Sequence, residues 1–195
     1  MRTRTIGPSP FGLRRAAQAI AAGEVIAYPT EAVYGLGCDP LDARAVRRIL
    51  AIKRRPEHKG LILIAADLDA LWPFILPLAP ARMADIEASW PGPNTWLLPA
   101  RPDTPTWLTG AHETIAVRIP DHPIARALCA AWASDGGGAL VSTSANIAAR
   151  PPARTALEVR HRLPKGPDLI LNARCGGNPR PSLIRDARTG RVLRP

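Results

Sequence analysis

Hydrophobic residues along this chain switch repeatedly between helical spacing and short continuous runs. Intervals of three and four residues, beginning with Leu13, Ala16 and Ile20, predict amphipathic helices. The predicted helices cover residues 13–20, 42–55, 67–72, 81–89, 122–132 and 155–163, the second with Asp42 as N-cap and Pro56 as its stop. Apolar runs predict strands over residues 24–28, 61–65, 95–98, 114–119, 139–142, 168–171, 182–186 and 191–193. We expect a loop between Pro29 and Pro40.

Helices and strands mixed over one compact length indicate an α/β or α+β fold. The chain has 195 residues, of which 46% are hydrophobic, and these values are typical of a single domain, here residues 1–195. No apolar run approaches the roughly 20 residues that span a membrane. The charged N-terminus is not followed by the apolar segment of a signal peptide. We therefore expect a cytoplasmic protein without a membrane partner.

Charge is distributed unevenly along the sequence. Residues 1–60, 61–130 and 131–195 carry net charges of +6, −3 and +7. A fold that brings the two ends together would form a positive cleft suited to phosphates, whether of ATP or of RNA. Because 23 of the 26 cations are arginine, a codon bias explains the charge equally well, and charge alone does not identify a partner.

Cysteine and histidine give no sign of a metal site. Cys38, Cys129 and Cys175 are odd in number and far apart, and the four histidines lack metal-ligand spacing. This pattern fits a reducing compartment without disulfides. The GxxxxGK[ST] signature of a phosphate-binding loop is also absent from the sequence, so a phosphate site would have to be built from side chains.

Two short segments carry side chains suited to such a site. The cations Lys53-Arg54-Arg55 end a predicted helix, and Ser142-Thr143-Ser144-Ala145-Asn146 follows an apolar strand. Cations bind phosphate oxygens, and short side chains let a ligand approach the backbone. Each segment alone has an ordinary alternative, since cations suit a solvated helix end and small polar residues suit a turn.

Spacing favours convergence within each segment. Lys53 and Arg55 would converge if the helix ends there, while Arg54 would point to solvent. Ser144 and Asn146 lie two apart on an extended segment and hence on the same side.

These segments belong to a longer series of motifs that occur in order along the chain. The series is Pro29-Thr30-Glu31-Ala32-Val33-Tyr34-Gly35-Leu36, Lys53-x-Arg55-Pro56, Lys59-Gly60-Leu61-Ile62-Leu63-Ile64, Trp90-Pro91-Gly92-Pro93, Ala116-Val117-Arg118-Ile119-Pro120-Asp121-His122-Pro123, Ser144-Ala145-Asn146 and Pro181-Ser182-Leu183-Ile184-Arg185-Asp186. From about residue 10 to the C-terminus it resembles the threonylcarbamoyl-AMP synthases, the YrdC-like family, in their short bacterial form.

The resemblance implies a fold and a reaction. The fold would be a single YrdC-like domain, a twisted mixed sheet flanked by helices with a concave basic groove. The reaction would join L-threonine, bicarbonate or CO2, and ATP into threonylcarbamoyl-AMP and pyrophosphate, with Mg²⁺ accompanying ATP. The product would pass to a partner complex that modifies the adenosine beside the tRNA anticodon, and direct contact of tRNA with this chain stays open.

The resemblance also implies roles for individual residues and no protein-built metal site. The residues implied in catalysis are Lys53, Arg55, Ser144 and Asn146. The residues implied in ATP binding are Lys53, Arg55, Lys59, Thr114, Ser144, Ala145, Asn146 and Arg194. The residues implied in threonine binding are Thr30, Arg118, Thr143 and Ser182.

Some positions have two interpretations or depart from the family. Arg118 interrupts an apolar strand, so it either lies at an exposed edge or, as the resemblance implies, holds the threonine carboxylate with its bidentate guanidinium. Tyr34 could line a pocket or belong to the core. Ile64 stands where longer relatives often have histidine, and Ala148-Ala149-Arg150-Pro151-Pro152 replaces their Ser-Gly-Arg-Pro-Ser.

Two other classes of protein fit parts of the sequence. An RNA-binding or ribosome-associated module would use the net charge of +10 and the five tryptophans, but these are scattered and no RNP or KH signature is present. A carbamoyl-transferring relative from hydrogenase maturation would be much longer and carry CxxC zinc fingers. The ATP-dependent synthase therefore fits best.

Overall fold

The computed structural model describes residues 3–178 and 182–194, so Pro181 of the C-terminal motif lies outside the described residues. Within these ranges the strands are β1 (Arg4–Ile6), β2 (Ile26–Pro29), β3 (Tyr34–Gly37), β4 (Ile62–Ile64), β5 (Asn94–Pro99), β6 (Thr114–Arg118), β7 (Leu140–Ser144), β8 (Leu169–Leu171), β9 (Leu183–Asp186) and β10 (Val192–Arg194). The helices are α1 (Pro10–Ala21), α2 (Ala43–Lys53), α3 (Pro80–Ala88), α4 (Thr106–Thr109), α5 (Pro123–Ser134) and α6 (Ala156–Arg162), with 3-10 turns at Glu57–Lys59 and Asp69–Leu71. No helix among the described residues is long and apolar enough to cross a bilayer.

The strands form one mixed sheet in the order β1-β8-β2-β3-β7-β4-β6-β5-β9-β10. Strand β7 joins its two halves, because it pairs antiparallel with β3 on one side and with β4 on the other. Parallel pairs such as β4–β6 and antiparallel pairs such as β5–β6 occur side by side. The predicted α/β architecture, a mixed sheet flanked by helices, is confirmed.

The sheet separates two hydrophobic clusters. Along β2, Ile26 and Tyr28 belong to the cluster that contains α1 and α5, whereas Ala27 belongs to the cluster that contains α2. This alternation follows from the two-residue period of a strand, whose successive side chains point to opposite faces. The site described below lies where several elements of this sheet end.

Helix α2 begins as the sequence predicts and ends slightly earlier. The Asp42 carboxylate accepts hydrogen bonds from the N–H groups of Arg44 (2.9 Å) and Ala45 (3.1 Å), which makes it the N-cap. The helix ends at Lys53, because Arg54 takes a left-handed conformation with φ of 50°. The backbone therefore changes direction at Arg54.

The loop predicted between Pro29 and Pro40 is wrong in part, because β3 forms within it and pairs antiparallel with β2. Gly35 and Gly37 concealed this strand, since glycine disfavours strands in general. Here the lack of a side chain allows close packing, because a Cβ at Gly37 would lie 2.7 Å from the Val141 carbonyl oxygen.

Three smaller differences concern short elements. Strand β1 and helix α4 were not predicted, and residues 67–72 form only the 3-10 turn Asp69–Leu71 instead of a longer helix. Strand β1 depends on parallel pairing with the distant β8, which no local pattern records.

Candidate functional site

A cavity of about 660 Å³ lies where α2, β6 and β7 end. It brings together every predicted site residue except Ala145. The predicted residues that line it are Thr30, Lys53, Arg55, Lys59, Thr114, Arg118, Thr143, Ser144, Asn146, Ser182 and Arg194. Ala145 is fully buried, and its N–H and C=O bond to Tyr34 (2.7 Å) and Ala153 (3.0 Å), which leaves it behind the cavity wall.

Cations make up most of the charged lining. Lys53, Arg55, Lys59, Arg118 and Arg194 contribute to the wall, and Glu31 is the sole carboxylate among the described lining residues. Burial lowers the pKa of both Arg55 and Arg194, and the positive charge of Arg194 lowers the pKa of Arg55 further. An anion between these guanidiniums would relieve this repulsion.

The Lys53 ammonium is almost completely enclosed, with 3% of the residue exposed. Its Nζ donates hydrogen bonds to the Ser144 carbonyl oxygen, to the Asn146 carbonyl oxygen (3.1 Å) and to Asn146 Oδ1 (3.0 Å). Burial lowers the pKa of Lys53 to about 8, and the nearby charge of Arg55 contributes to this lowering. The Lys-x-Arg and Ser-x-Asn motifs therefore meet as one hydrogen-bonded unit.

The Arg55 guanidinium is held on the turn that follows the Glu57–Lys59 helix. Its Nε and Nη2 donate to the Gly60 carbonyl oxygen (3.3 and 3.0 Å), and Nη2 also reaches the Lys59 carbonyl oxygen (3.3 Å). Arg54 is exposed and does not line the cavity, in agreement with its predicted orientation.

Ser144 and Asn146 contact each other directly, because Ser144 Oγ donates to Asn146 Oδ1 at 2.6 Å. Their predicted common orientation is confirmed, although β7 ends at Ser144 and only that residue is in the strand. The Asn146 amide donates to the Arg150 carbonyl oxygen at 2.7 Å. Both side chains are therefore held by contacts within the protein.

Arg118 forms an ion pair with Glu31. The Glu31 Oε1 accepts from Arg118 Nη2 and from the N–H groups of Asp121 (2.7 Å) and His122 (3.3 Å), while Arg118 Nε donates to the Gly92 carbonyl oxygen (2.8 Å). The alternative of an exposed strand edge is wrong, because β6 lies between β4 and β5 and the Arg118 side chain is 11% exposed.

Glu31 is the main residue that the sequence did not identify. Its Oε2 is buried and has no hydrogen-bond partner among the described residues. A signal existed, since Glu31 directly follows Thr30 in the first motif, but a glutamate after a strand normally indicates only a solvated turn.

Three more of the predicted residues, Thr30, Ser182 and Arg194, make hydrogen bonds within the protein. Thr30 Oγ1 donates to the Val33 carbonyl oxygen at 2.7 Å, and Ser182 Oγ accepts from Thr95 at 3.0 Å. Arg194 Nη2 donates to the Ser182 carbonyl oxygen at 3.2 Å. Arg194 therefore connects β10 to the segment that carries Ser182.

Tyr34 satisfies both interpretations offered by the sequence. It is fully buried in the core and also contributes to the cavity wall. Its hydroxyl donates to the Ala173 carbonyl oxygen at 2.6 Å and accepts from the Ala173 N–H at 3.1 Å, so these contacts fix the tyrosine in place.

The described residues contain no group of three or more His, Cys, Asp or Glu side chains arranged to hold a metal ion. Within the cavity, the Oε1 of Glu31 already accepts three hydrogen bonds. The cavity wall is accordingly suited to anions through its cations, hydroxyls and amide.

Fold and cavity together define an α/β protein whose cation-lined site lies where elements of a mixed sheet end. Residues 18–195 match the Sua5_yciO_yrdC family, described as "Telomere recombination", and the chain belongs to this Sua5/YciO/YrdC family. It is 53% identical over 189 residues to the threonylcarbamoyl-AMP synthase of Halorhodospira halophila, and the match covers 96% of each chain.

Two solved structures have the same fold. The structure of P. abyssi Sua5 complexed with L-threonine is 30% identical with a TM-score of 0.87; the match covers all of this chain and 57% of that chain. The structure of E. coli YciO is 27% identical with a TM-score of 0.82, and the match covers 99% of this chain and 94% of that chain. The present chain therefore spans little more than half of Sua5 and nearly all of YciO.

Proposed function

We propose that this protein is a threonylcarbamoyl-AMP synthase. It would convert L-threonine, bicarbonate or CO2, and ATP into threonylcarbamoyl-AMP and pyrophosphate. The observation that carries the proposal is the convergence of the motif residues on one cation-lined cavity. Support comes from a relative of that name with which the chain is 53% identical.

The amino acid is proposed to bind at Arg118. The guanidinium already uses Nε and Nη2 within the protein, and its Nη1 forms no hydrogen bond with any described residue. Thr30, Thr143 and Ser182 line the same cavity and offer hydroxyls. An amino-acid substrate also agrees with the complex of P. abyssi Sua5 with L-threonine.

The nucleotide is proposed to bind along the cations Arg55, Lys59 and Arg194, with Thr114, Ser144 and Asn146 as further contacts. These residues line the same cavity as Arg118. Both substrates can therefore be held side by side, which converts an encounter in solution into a reaction within one complex.

In the proposed reaction, the threonine nitrogen attacks CO2 and releases a proton, which gives N-carboxy-threonine. A carboxylate oxygen of this compound then attacks the α-phosphorus of ATP. The bond from the α-phosphorus to the bridging oxygen breaks, and pyrophosphate leaves with the electron pair. Such a transfer needs alignment and neutralisation of charge rather than a protein nucleophile, which the arginine-rich wall of this cavity can supply.

Mg²⁺ is proposed to enter with ATP. The cavity wall offers Glu31 as its carboxylate, and that residue is engaged with Arg118. Mg²⁺ commonly keeps several waters and binds substrate phosphates, so phosphate oxygens and water would be its ligands here.

The product is proposed to serve a complex that modifies the adenosine beside the tRNA anticodon, in the cytoplasm. Direct contact of tRNA with this chain rests on the net charge of +10 alone. Thermal stabilisation by ATP with threonine, compared with stabilisation by tRNA, separates the synthase from an RNA-binding module.

The direct test is mass spectrometry of a reaction that contains ATP, L-threonine and bicarbonate. We expect threonylcarbamoyl-AMP and pyrophosphate in equal amounts. Matched reactions without threonine, or in CO2-depleted buffer, should give neither product. Unchanged ATP in the complete reaction would refute the proposed function, and so would AMP that forms without bicarbonate.

The pKa of Lys53 predicts how ATP binding depends on pH. Since this pKa is about 8 instead of 10.5, the ammonium loses its charge above pH 8 and keeps two protons for the four oxygens around it. We expect ATP affinity to fall above pH 8, by at most about tenfold per pH unit for one proton. Calorimetric titrations at pH 7, 8 and 9 measure this fall. Lys53→Met should bind ATP more weakly than the wild type and should not show this fall with pH. A wild-type affinity that stays constant to pH 9 would contradict the prediction.

A further inference from the structure

Lys53 is the cation of this cavity whose protons are all used within the protein. An ammonium has three protons, and four protein oxygens lie within hydrogen-bond distance of Nζ: the carbonyl oxygen and Oγ of Ser144 (3.4 Å for Oγ), and the carbonyl oxygen and Oδ1 of Asn146. A phosphate contact would require the ammonium to leave at least one of these acceptors. The Asn146 carbonyl oxygen has no other donor among the described residues, and an acceptor without a donor costs free energy, so the observed arrangement opposes such a movement.

The helix end and the Ser144–Asn146 segment are also joined through the backbone. The Ala148 N–H donates to the Lys53 carbonyl oxygen at 2.7 Å. Lys53 thus holds this segment from both ends, by its side chain at residues 144–146 and by its backbone at residue 148. The segment runs along the cavity wall, where a displacement would move Ser144 and Asn146 together.

Arg55 differs from Lys53 in this respect. Its hydrogen bonds to Lys59 and Gly60 use Nε and Nη2, and Nη1 forms no hydrogen bond with any described residue. Lys53 and Arg55 therefore differ, although they are only two positions apart, because only Arg55 has a nitrogen left to donate to a ligand.

We infer that Lys53 is a positioning residue, which fixes Ser144 and Asn146 for the nucleotide, and that Arg55 supplies the direct phosphate contact. The inference deepens the proposed function and rests on it. Lys53 and Arg55 are then not equivalent phosphate-binding cations. Lys53 acts on the nucleotide through Ser144 and Asn146, and Arg55 contacts a phosphate directly.

The change in Tm of the ligand-free protein on replacement of Lys53 distinguishes the two roles, because the two roles predict changes in opposite directions. A buried lysine kept for a ligand costs stability, so its replacement by the similarly shaped Met would leave Tm unchanged or raise it. Replacement of a positioning lysine leaves the Asn146 carbonyl oxygen without a donor among the described residues and removes the hydrogen bonds that join α2 to Ser144 and Asn146. We expect Lys53→Met to lower Tm by about 5 °C or more. The matched variant Arg55→Met should keep Tm within about 2 °C or raise it.

Nucleotide affinity supplies a measurement that a purely structural role would not change. Lys53→Met should weaken ATP and AMP by a similar factor, roughly tenfold, because the displaced wall serves both ligands. Arg55→Met should weaken ATP more than AMP, because a direct cation responds to the number of phosphates. A Lys53→Met loss confined to ATP would overturn the inference, and so would a Tm that is unchanged or raised.

The wild-type protein provides an independent measurement if Lys53→Met does not fold. The chain has three lysines, Lys53, Lys59 and Lys165, so ¹⁵N-lysine labelling gives three ammonium signals, assigned with Lys59→Arg and Lys165→Arg. At pH 6.5 we expect one slowly exchanging Lys53 signal that ATP shifts less than it shifts Lys59. A rapidly exchanging Lys53, or a Lys53 signal that moves more than Lys59, would refute the inference. Failure of the wild type to bind ATP would instead refute the proposed function, and the ligand-free Tm and exchange results would still stand.

Discussion

Arg55→Ala is expected to weaken ATP binding by about 10- to 150-fold, since a charge-assisted hydrogen bond contributes ~1.5–3 kcal/mol. The guanidinium is half-buried beside Arg194, so solvent screens its attraction to a phosphate less than at an exposed site. Calorimetric titration of ATP into the wild type and the variant measures the loss.

Arg54→Ala provides the matched control for this prediction. It removes the neighbouring guanidinium and keeps the same Cβ at the left-handed position that ends α2. Arg54 is exposed outside the main cavity, so its replacement should change ATP affinity less than twofold, as surface substitutions usually act within ~0.5 kcal/mol. A variant at Arg54 that is more sensitive than Arg55→Ala would show that the helix end presents its cations differently.

Periodicity predicted the elements that carry their own hydrophobic signal. Helix α5 buries Leu128 and Trp132 on one face, and β4 is a short apolar run, so both could be recognised locally. Strand β3 could not, because Gly35 and Gly37 are there for close contact with Tyr28 and the backbone near Val141. Because its glycines serve close packing against neighbouring residues, β3 lacks the apolar run that would predict a strand.

The members of the site could be predicted better than their orientations. Motif order brought Lys53, Arg55, Ser144 and Asn146 together as candidates, and all four line one cavity. The direction of each polar atom depends on tertiary contacts over long distances in sequence, such as the 91 positions between Lys53 and Ser144. Cations in a sequence can therefore predict that a cation-lined site exists, but they do not predict which atoms each cation contacts.

Glu31 illustrates the same limit for an acidic residue. Its partner Arg118 is 87 positions away, and the N–H groups that share its Oε1 belong to the segment before α5. The ion pair with Glu31 holds the Arg118 guanidinium in one orientation. Since Arg118 is braced on two of its three nitrogens, the geometry of the third is fixed, which makes this arginine sensitive even to a substitution that keeps its charge.

Arg118→Lys is expected to lower threonine affinity by about 10- to 100-fold and to change ATP affinity less than twofold. Lysine keeps the positive charge beside Glu31, but it has one nitrogen instead of a planar fork. That nitrogen cannot reach Glu31 and the Gly92 carbonyl oxygen and still present a fixed donor pair to a carboxylate. The loss of a charged, buried hydrogen bond of ~1.5–3 kcal/mol gives the expected size.

Threonine titrated at saturating ATP, and ATP titrated alone, separate the two substrates in this experiment. Arg185→Lys is the matched control, because Arg185 is a half-buried arginine on β9, the strand beyond β5, that bonds Asn94 (3.2 Å) and does not line the cavity. It should leave both affinities unchanged. If Arg118→Lys keeps wild-type threonine affinity, Arg118 does not bind the carboxylate. If the variant loses several degrees of Tm and both ligands together, the Glu31–Arg118 pair supports the fold, and the threonine carboxylate binds elsewhere on the cavity wall.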